Sequence, residues 1–318
     1  MDAQTKMQAE PAVTRIAFAM DTALSCTVAV HDADVLKPLE DMLEELAWRF
    51  NAYSATSEIA NIARDAGKRP TRVSSVTFDI ISRALALSEE TEGFFDITMR
   101  PLVHLWQESV RAGILPGQRD LEAAQELVGY EKVSLDRKRS TVWLEREGMA
   151  LDLGGIAKGY ALDEARKMLD AHHVSWALLD FGGSVLPYGR TSSVGIQDPF
   201  AQTGTPCARI KVRDIALVTS GSYERSSDVQ GRHCHHLIDP RTAQPSQSDL
   251  VSVTLAGTDA TRLDALATAV FLMGTDHGSR FVEKAGLDAA FMTQEGQVLA
   301  TRALAPSLRL LHNPQHTE

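Results

Sequence analysis

LDLGGIAKGYALDEARKML, residues 151–169, carries the pattern that decides the fold. It opens on Gly154-Gly155 and then sets Ile156, Ala157, Tyr160, Ala161, Ala165, Met168 and Leu169 on one face, at the three-and-four spacing of an amphipathic helix. After a short loop, WALLDFGGSV (176–185) reads as a strand running into a second pair, Gly182-Gly183. Further on, TRLDALATAVFL (261–272) has a strong helical period. Leu39, Met42, Leu43, Leu46, Ala47 and Phe50 predict another helix ending near Asn51. Phe78, Ile81, Ala84 and Leu85 predict one over 77–91, with Gly93 as its stop. Shorter β-rich segments lie at 15–30, 132–135, 141–144, 176–179, 209–212 and 250–255. Strands and helices interleave without regular βαβ alternation. The expected class is therefore α+β, with mixed or antiparallel sheets packed against helices in two integrated lobes.

No repeat, low-complexity tract or linker divides the chain, so a single domain is expected over residues 15–310, with tails at 1–14 and 311–318. Lys and Arg number 32 against 42 Asp and Glu, a net charge of -10 that disfavours phosphate backbones and anionic lipid. A nucleic-acid partner is not expected. No run approaches the roughly 20 apolar residues of a transmembrane helix, and the N-terminus is polar where a signal peptide would be basic and then apolar. Cys26, Cys207 and Cys234 are too widely spaced for a thiolate zinc site and read as reduced thiols. ALSC, ending at Cys26, imitates a lipoprotein cleavage box, but Asp21 interrupts the apolar run that should precede it.

Several constellations carry chemistry. Gly154, Gly155 and Lys158 at a helix start serve either a tight turn or a phosphate cradle, and Gly182-Gly183 offers the same two readings. Neither pair belongs to a GxGxxG or P-loop pattern. Asp264 and Thr268, four apart, stack on one helix face. That pair suits a hard cation such as magnesium, or is a solvated aspartate beside a threonine bonded to its own helix. The HCHH cluster, His233 to His236, suggests a general base, a zinc ligand or an ordinary strand end. Ser220 lacks the GxSxG elbow of a nucleophile and, with Gly221, reads as ligand-positioning backbone. Tyr53 is core filler or a stacking platform for a flat ligand, and Asp96 either binds or caps a turn.

In order along the chain, MDT, YSATSEI, FDITMRPL, LDLGGIAKGYALD, FGGS, TSGSYER, HHLIDPRT and DALATAVFLMG resemble the motif series of the ApbE family, the FAD:protein FMN transferases. The resemblance runs from about Ala17 to Gly274. It implies an enzyme that takes FAD as substrate with magnesium or another divalent cation and splits the pyrophosphate. FMN is then attached by a phosphoester bond to a Thr or Ser hydroxyl of an acceptor flavoprotein, and AMP is released. By motif match, Asp264, Thr268 and the Ala157 carbonyl would hold the metal, and His236 would be the base. Tyr53 would lie beside the isoalloxazine. Met20, Asp96, Lys158, Gly182, Gly183, Ser220 and Gly221 would fall in the FAD-binding segments. An FAD pyrophosphatase and a non-catalytic FAD-binding protein are the alternative expectations.

Four positions depart from the family pattern. Asp21 and Ala243 replace glycines, and Asp180 and Ser184 stand where asparagine and an acidic or amide residue are common. Many members of the family are exported lipoproteins. The polar N-terminus here implies a cytoplasmic member, or a periplasmic one whose leader has been removed.

Overall fold

Alternation builds the central sheet. In Thr22–Ala29 the side chains of Leu24, Cys26 and Val28 are buried on one face, and every neighbouring strand continues that face with apolar residues: Leu179 and Phe181, then Leu186, Val218, Val253 and Leu255. The computed structural model describes residues 10–223 and 226–314. Its largest sheet has eight strands in the order Ala12–Ala19, Thr22–Ala29, Ala177–Phe181, Ser184–Tyr188, Ala216–Gly221, Leu250–Gly257, Asp288–Thr293 and Val298–Ala300, each antiparallel to its neighbours. The expected class, α+β with antiparallel sheets against helices, is the one found.

Among the described residues there are seven α-helices: α1 (Leu36–Phe50), α2 (Glu58–Asp65), α3 (Ser75–Glu90), α4 (Arg100–Ala112), α5 (Gln118–Gln125), α6 (Ala157–Ala171) and α7 (Ala260–Lys284). The apolar stripes of α1, α6 and α7 cover the buried face of the large sheet in one continuous core. The other face is covered in part by a small sheet of Ser192–Gln197, Pro206–Val212 and Leu308–Leu310, where Cys207 and Ile210 meet Leu217, Ala256 and Met292. A separate core joins Met99, Leu102 and Trp106 of the α4 region to Leu121 of α5 and to Val229, Cys234, Ile238 and Ala243. Among the described residues no helix is long and apolar enough to cross a membrane.

The structure refines several expected boundaries. The single β-run expected over 15–30 is a hairpin, Ala12–Ala19 with Thr22–Ala29, turned at Met20 and Asp21 with φ of 53° and 60°. Two central residues with positive φ make a type I′ turn, the form that matches strand twist. Asp21 thus keeps the left-handed conformation a glycine would take, which short polar side chains tolerate better than most. Ala243 likewise adopts φ 56°, at a cost of roughly 1–2 kcal/mol for an L-residue, so the alanine stands in a strained conformation that a glycine would take freely. Helix α7 continues past the expected Leu272 across a kink at Gly274, where φ is 75°. Residues of the expected C-terminal tail are docked: the Leu311 N–H donates to Cys207 O at 2.8 Å, and His312 pairs with buried Asp198 at 2.7 Å.

All three cysteines are free and buried. Burial pushes the Cys26 thiol up to about 12 and the Cys207 thiol up to about 11, so neither is nucleophilic near neutral pH.

Antiparallel order decides where function concentrates. Ala177–Phe181 and Ala216–Gly221 run toward the same end of the sheet from which Thr22–Ala29, Ser184–Tyr188 and Leu250–Gly257 depart. The segments MDT, FGGS and TSGS are therefore brought to one sheet end by strand direction alone.

Candidate functional site

Helices α6 and α7 meet at Gly159. A Cβ there would fall on the Ala260 carbonyl oxygen and lie 2.8 Å from Asp264 Cβ, so only glycine lets the helices come this close. The contact brings Asp264, which is buried, against the start of α6. Its Oδ2 accepts the Gly159 N–H at 2.9 Å, and its Oδ1 lies 3.4 Å from Lys158 Nζ. Lys158 Nζ also reaches the Gly154 carbonyl at 3.3 Å. The start of α7 is fixed from two sides. Asp259 accepts from the Arg262 N–H, and Asp163 of α6 accepts from the N–H groups of Ala260 and Thr261 and from the Thr261 hydroxyl.

One turn on from Asp264, Thr268 Oγ1 stands 3.5 Å from Ser220 Oγ and 3.5 Å from Asp264 O, the outer limit of hydrogen bonding. Its lone pairs are therefore weakly used. A Cβ on Gly155 would approach Thr268 Oγ1 to 3.3 Å and the Phe95 ring to 3.2 Å, so the first glycine pair lies directly against this hydroxyl. The first-turn amides of α6 are partly spent: the Ala157 N–H goes to Leu153 O and the Gly159 N–H to Asp264. What this helix end offers a phosphate is the Lys158 ammonium rather than the row of free amides that the glycine spacing suggests.

The second pair is turned tightly, with φ of 59° at Gly182 and 86° at Gly183. Gly182 presses on the Thr22 side chain beside the Met20 hairpin, and the Gly183 carbonyl accepts the Thr219 N–H at 3.0 Å. Burial raises the Asp180 pKa above the usual carboxylate value, and the nearby backbone N–H groups of Gly183 and Gly182 pull against that shift. Next to them Ser184 is fully buried, and its hydroxyl has no hydrogen-bond partner among the described residues. Ser184 pairs with Val218, two residues before Ser220, so its side chain shares the helix-facing side of the sheet with Ser220. Gly221 is buried and lies against the Tyr223 ring.

The histidine cluster separates by burial. His235 is buried: its Nε2 donates to Ser246 O at 3.0 Å, its Nδ1 accepts the Leu237 N–H, and its ring packs edge-on against Phe271 of α7. Burial holds its pKa below the ordinary imidazole value, so it is a neutral structural residue. His236 is exposed, in the turn that follows. His233 is exposed too and pairs with Asp228 at 3.1 Å. Among the described residues, no three His, Cys, Asp or Glu side chains are grouped to hold a metal.

Asp96 is buried with its carboxylate occupied from within. Oδ1 accepts from the Thr98 N–H and hydroxyl, and Oδ2 accepts from the Tyr130 N–H at 2.9 Å. Its side chain shapes the loop into α4. Tyr53 is 54% exposed, with its hydroxyl bonded to Gln107 and Arg100 stacked on its ring.

The structure thus joins Lys158, Asp264, Thr268 and Ser220 in direct contact, with Ala157 at the first position of α6 beside them. Gly182, Gly183, Met20 and Gly221 sit along the same sheet end. Tyr53 is held by Gln107 and Arg100 of α4, and His236 follows His235, whose ring packs on Phe271 of α7. The expected metal ligands form an all-oxygen, single-carboxylate set, which fits a hard cation that completes its shell with phosphate and water. Sequence reading missed Gly159, whose signal was a third glycine in LGGIAKG. It also missed Arg100 and Gln107, whose partner Tyr53 is remote in the chain.

The sequence model of the ApbE family matches residues 20–291. Two curated relatives named FAD:protein FMN transferase are each 32% identical. That of Klebsiella pneumoniae aligns over 270 residues, 85% of this chain and 85% of its own, and that of Treponema pallidum over 312 residues, 90% and 86%. The crystal structure of the ApbE protein from Thermotoga maritima superposes with a TM-score of 0.85 at 27% identity, covering 94% of this chain and 99% of that one. The flavin transferase ApbE from Vibrio cholerae shares the fold, with a TM-score of 0.81 at 23% identity over 93% of this chain and 99% of that one.

Proposed function

The chain belongs to the ApbE family, and from that premise we propose that it is an FAD:protein FMN transferase that uses magnesium and releases AMP. The observation that carries the reading is the contact of Asp264, Thr268 and Lys158 where α6 meets α7 at the glycine-lined end of the sheet. Pyrophosphate transfer needs cationic neutralisation, a nucleophile held in line and a group to take its proton.

In this reading Asp264, Thr268 and the Ala157 carbonyl hold the divalent cation. When bound, the cation neutralises charge on the substrate pyrophosphate as a Lewis acid. Lys158 adds a second positive charge, already drawn toward Asp264 in the protein alone. Tyr53 supports the isoalloxazine, and the Gly182-Gly183 turn with Ser220 and Gly221 lets the substrate approach the backbone. The acceptor Thr or Ser oxygen attacks the FMN phosphorus, and its proton passes to His236. The bridging P–O bond breaks with its electrons going to AMP. Exposure of His236 suits this role, because the acceptor is a protein and must reach the base from outside.

Incubating the protein with FAD, magnesium and a flavoprotein fragment bearing the family's acceptor motif, followed by intact-mass analysis, tests the proposal. A gain of one FMN with release of AMP is expected. AMP without acceptor modification would point to a pyrophosphatase, and bound FAD with neither product to a non-catalytic flavin binder.

A further inference from the structure

Tyr53 lies in an exposed loop, yet it is held at three points. Its N–H is taken by Asn51 Oδ1 at 2.8 Å, and Ser57 Oγ ties the Asn51 carbonyl at 2.6 Å, which fixes the loop backbone. The hydroxyl accepts from Gln107 Nε2 at 2.7 Å. The Arg100 guanidinium lies over one ring face, with Cζ 3.9 Å from the ring centroid. Arg100 also donates to Gln107 Oε1 at 3.3 Å, which closes a three-residue ring of contacts. Arg100 and Gln107 are seven apart on α4, two turns along one side of a single helix, so both arms of the clamp move as one body.

We propose that Arg100 and Gln107 are positioning residues that preset Tyr53 as a one-sided platform for the isoalloxazine of FAD, an inference that rests on the transferase reading above. An aromatic ring this exposed ordinarily keeps its rotamer freedom and must give it up when a ligand stacks. Here the face and the hydroxyl are both fixed beforehand, so that cost falls on folding rather than on binding. The guanidinium covers one face and leaves the other to the substrate. Arg100 acts through the tyrosine and does not itself touch the flavin.

Equilibrium FAD binding and steady-state transfer by the full chain test this. A cation stacked on an exposed aromatic contributes about 0.5–1 kcal/mol, so Arg100→Ala is expected to weaken FAD binding about two- to fivefold. The loss should appear in KM for FAD and not in kcat. Arg100→Lys, which keeps the charge over the ring, should recover part of it. Gln107→Ala reads the hydroxyl arm independently, with a similar loss, should Arg100→Ala disturb folding. Combining Arg100→Ala with Tyr53→Ala should bind FAD no more weakly than Tyr53→Ala alone. Additive losses would place Arg100 on the substrate and overturn the proposal, as would unchanged affinity in both Arg100→Ala and Gln107→Ala. Unchanged affinity in Tyr53→Ala would overturn the clamp while leaving the transferase reading intact. Failure of the wild type to bind FAD would remove both.

Discussion

The N–H of Gly159 and the Oδ2 of Asp264 are joined at 2.9 Å across the contact of α6 with α7, and the absence of a side chain on Gly159 is what permits the bond. The first expectation concerns that glycine. Gly159→Ala gains about 1 kcal/mol of helix propensity, but its methyl meets the backbone of Ala260, which cannot yield as a side-chain tip would. Overpacking of this kind costs about 1–3 kcal/mol, so the net effect should be loss of stability in chemical denaturation, together with weaker magnesium binding. A variant with the wild-type midpoint would show that the helices separate without strain.

Asp264→Ala should abolish transfer. It removes the only carboxylate of the proposed metal set and leaves the Gly159 N–H without its acceptor, a stability cost of about 1–3 kcal/mol. Asp264→Asn keeps the shape and separates the two effects: folding should be largely restored and magnesium-dependent turnover should not. Calorimetric titration with magnesium and an FAD-turnover assay read both. Retained activity across a magnesium titration would exclude the metal role.

The neighbouring histidines should behave as opposites. His236→Ala is expected to leave FAD binding intact and slow transfer about 10²–10⁴-fold, the usual range for a lost general base. His235→Ala should destabilise instead, by about 1–3 kcal/mol, because the Ser246 carbonyl loses its donor. That destabilisation carries a pH signature. Burial depresses the imidazole's folded-state value, so the unfolded chain binds the proton first as pH falls through about 6.5. The wild type is therefore undiminished above that range and loses stability below it, by at most about 1.4 kcal/mol per pH unit for this group. The gap between wild type and His235→Ala should narrow between about pH 7.5 and 5.5. A constant gap would mean that His235 takes up its proton equally readily in the folded and the unfolded chain.

Ser184→Ala should stabilise the protein. The hydroxyl is buried without a partner among the described residues, and removing such a group recovers part of a desolvation penalty of about 1–3 kcal/mol. The rise should be visible in thermal melts without FAD and should shrink when FAD is present if the hydroxyl meets the substrate. An unchanged or lower melting temperature would show that the hydroxyl is satisfied in solution.

Local periodicity carried the parts of this fold whose cause is local. Thr141–Leu144 is a strand over the residues its branched and apolar side chains predict, and the helical stripes of α1, α6 and α7 begin close to where their apolar residues do. The hairpin at Met20 and Asp21 was hidden because Met20 is not a usual turn former and no glycine marks the turn, and only the pairing of Ala19 with Thr22 reveals it. Likewise Asp264 and Thr268 show their common face by spacing, whereas the burial of Asp264 depends on Gly159, on another helix. Asp96 illustrates the converse. Its place in a motif puts it in an expected FAD-binding segment, and its carboxylate also accepts from Thr98 and from the Tyr130 N–H, a partner that nothing in FDITMRPL indicates.

The order of strands in the large sheet also bears on how the protein is made. Thr22–Ala29 finds its second neighbour in Ala177–Phe181, with Leu24 opposite Phe181, about half the chain later. A nascent chain leaving the ribosome therefore carries its first hairpin with an unsatisfied inner edge until the FGGS segment has emerged. The Met20 turn and the glycine pair that faces it are assembled in that same late event. The glycine-lined end of the large sheet cannot exist in any truncated product that stops short of residue 181, whatever part of α1 to α6 has already condensed.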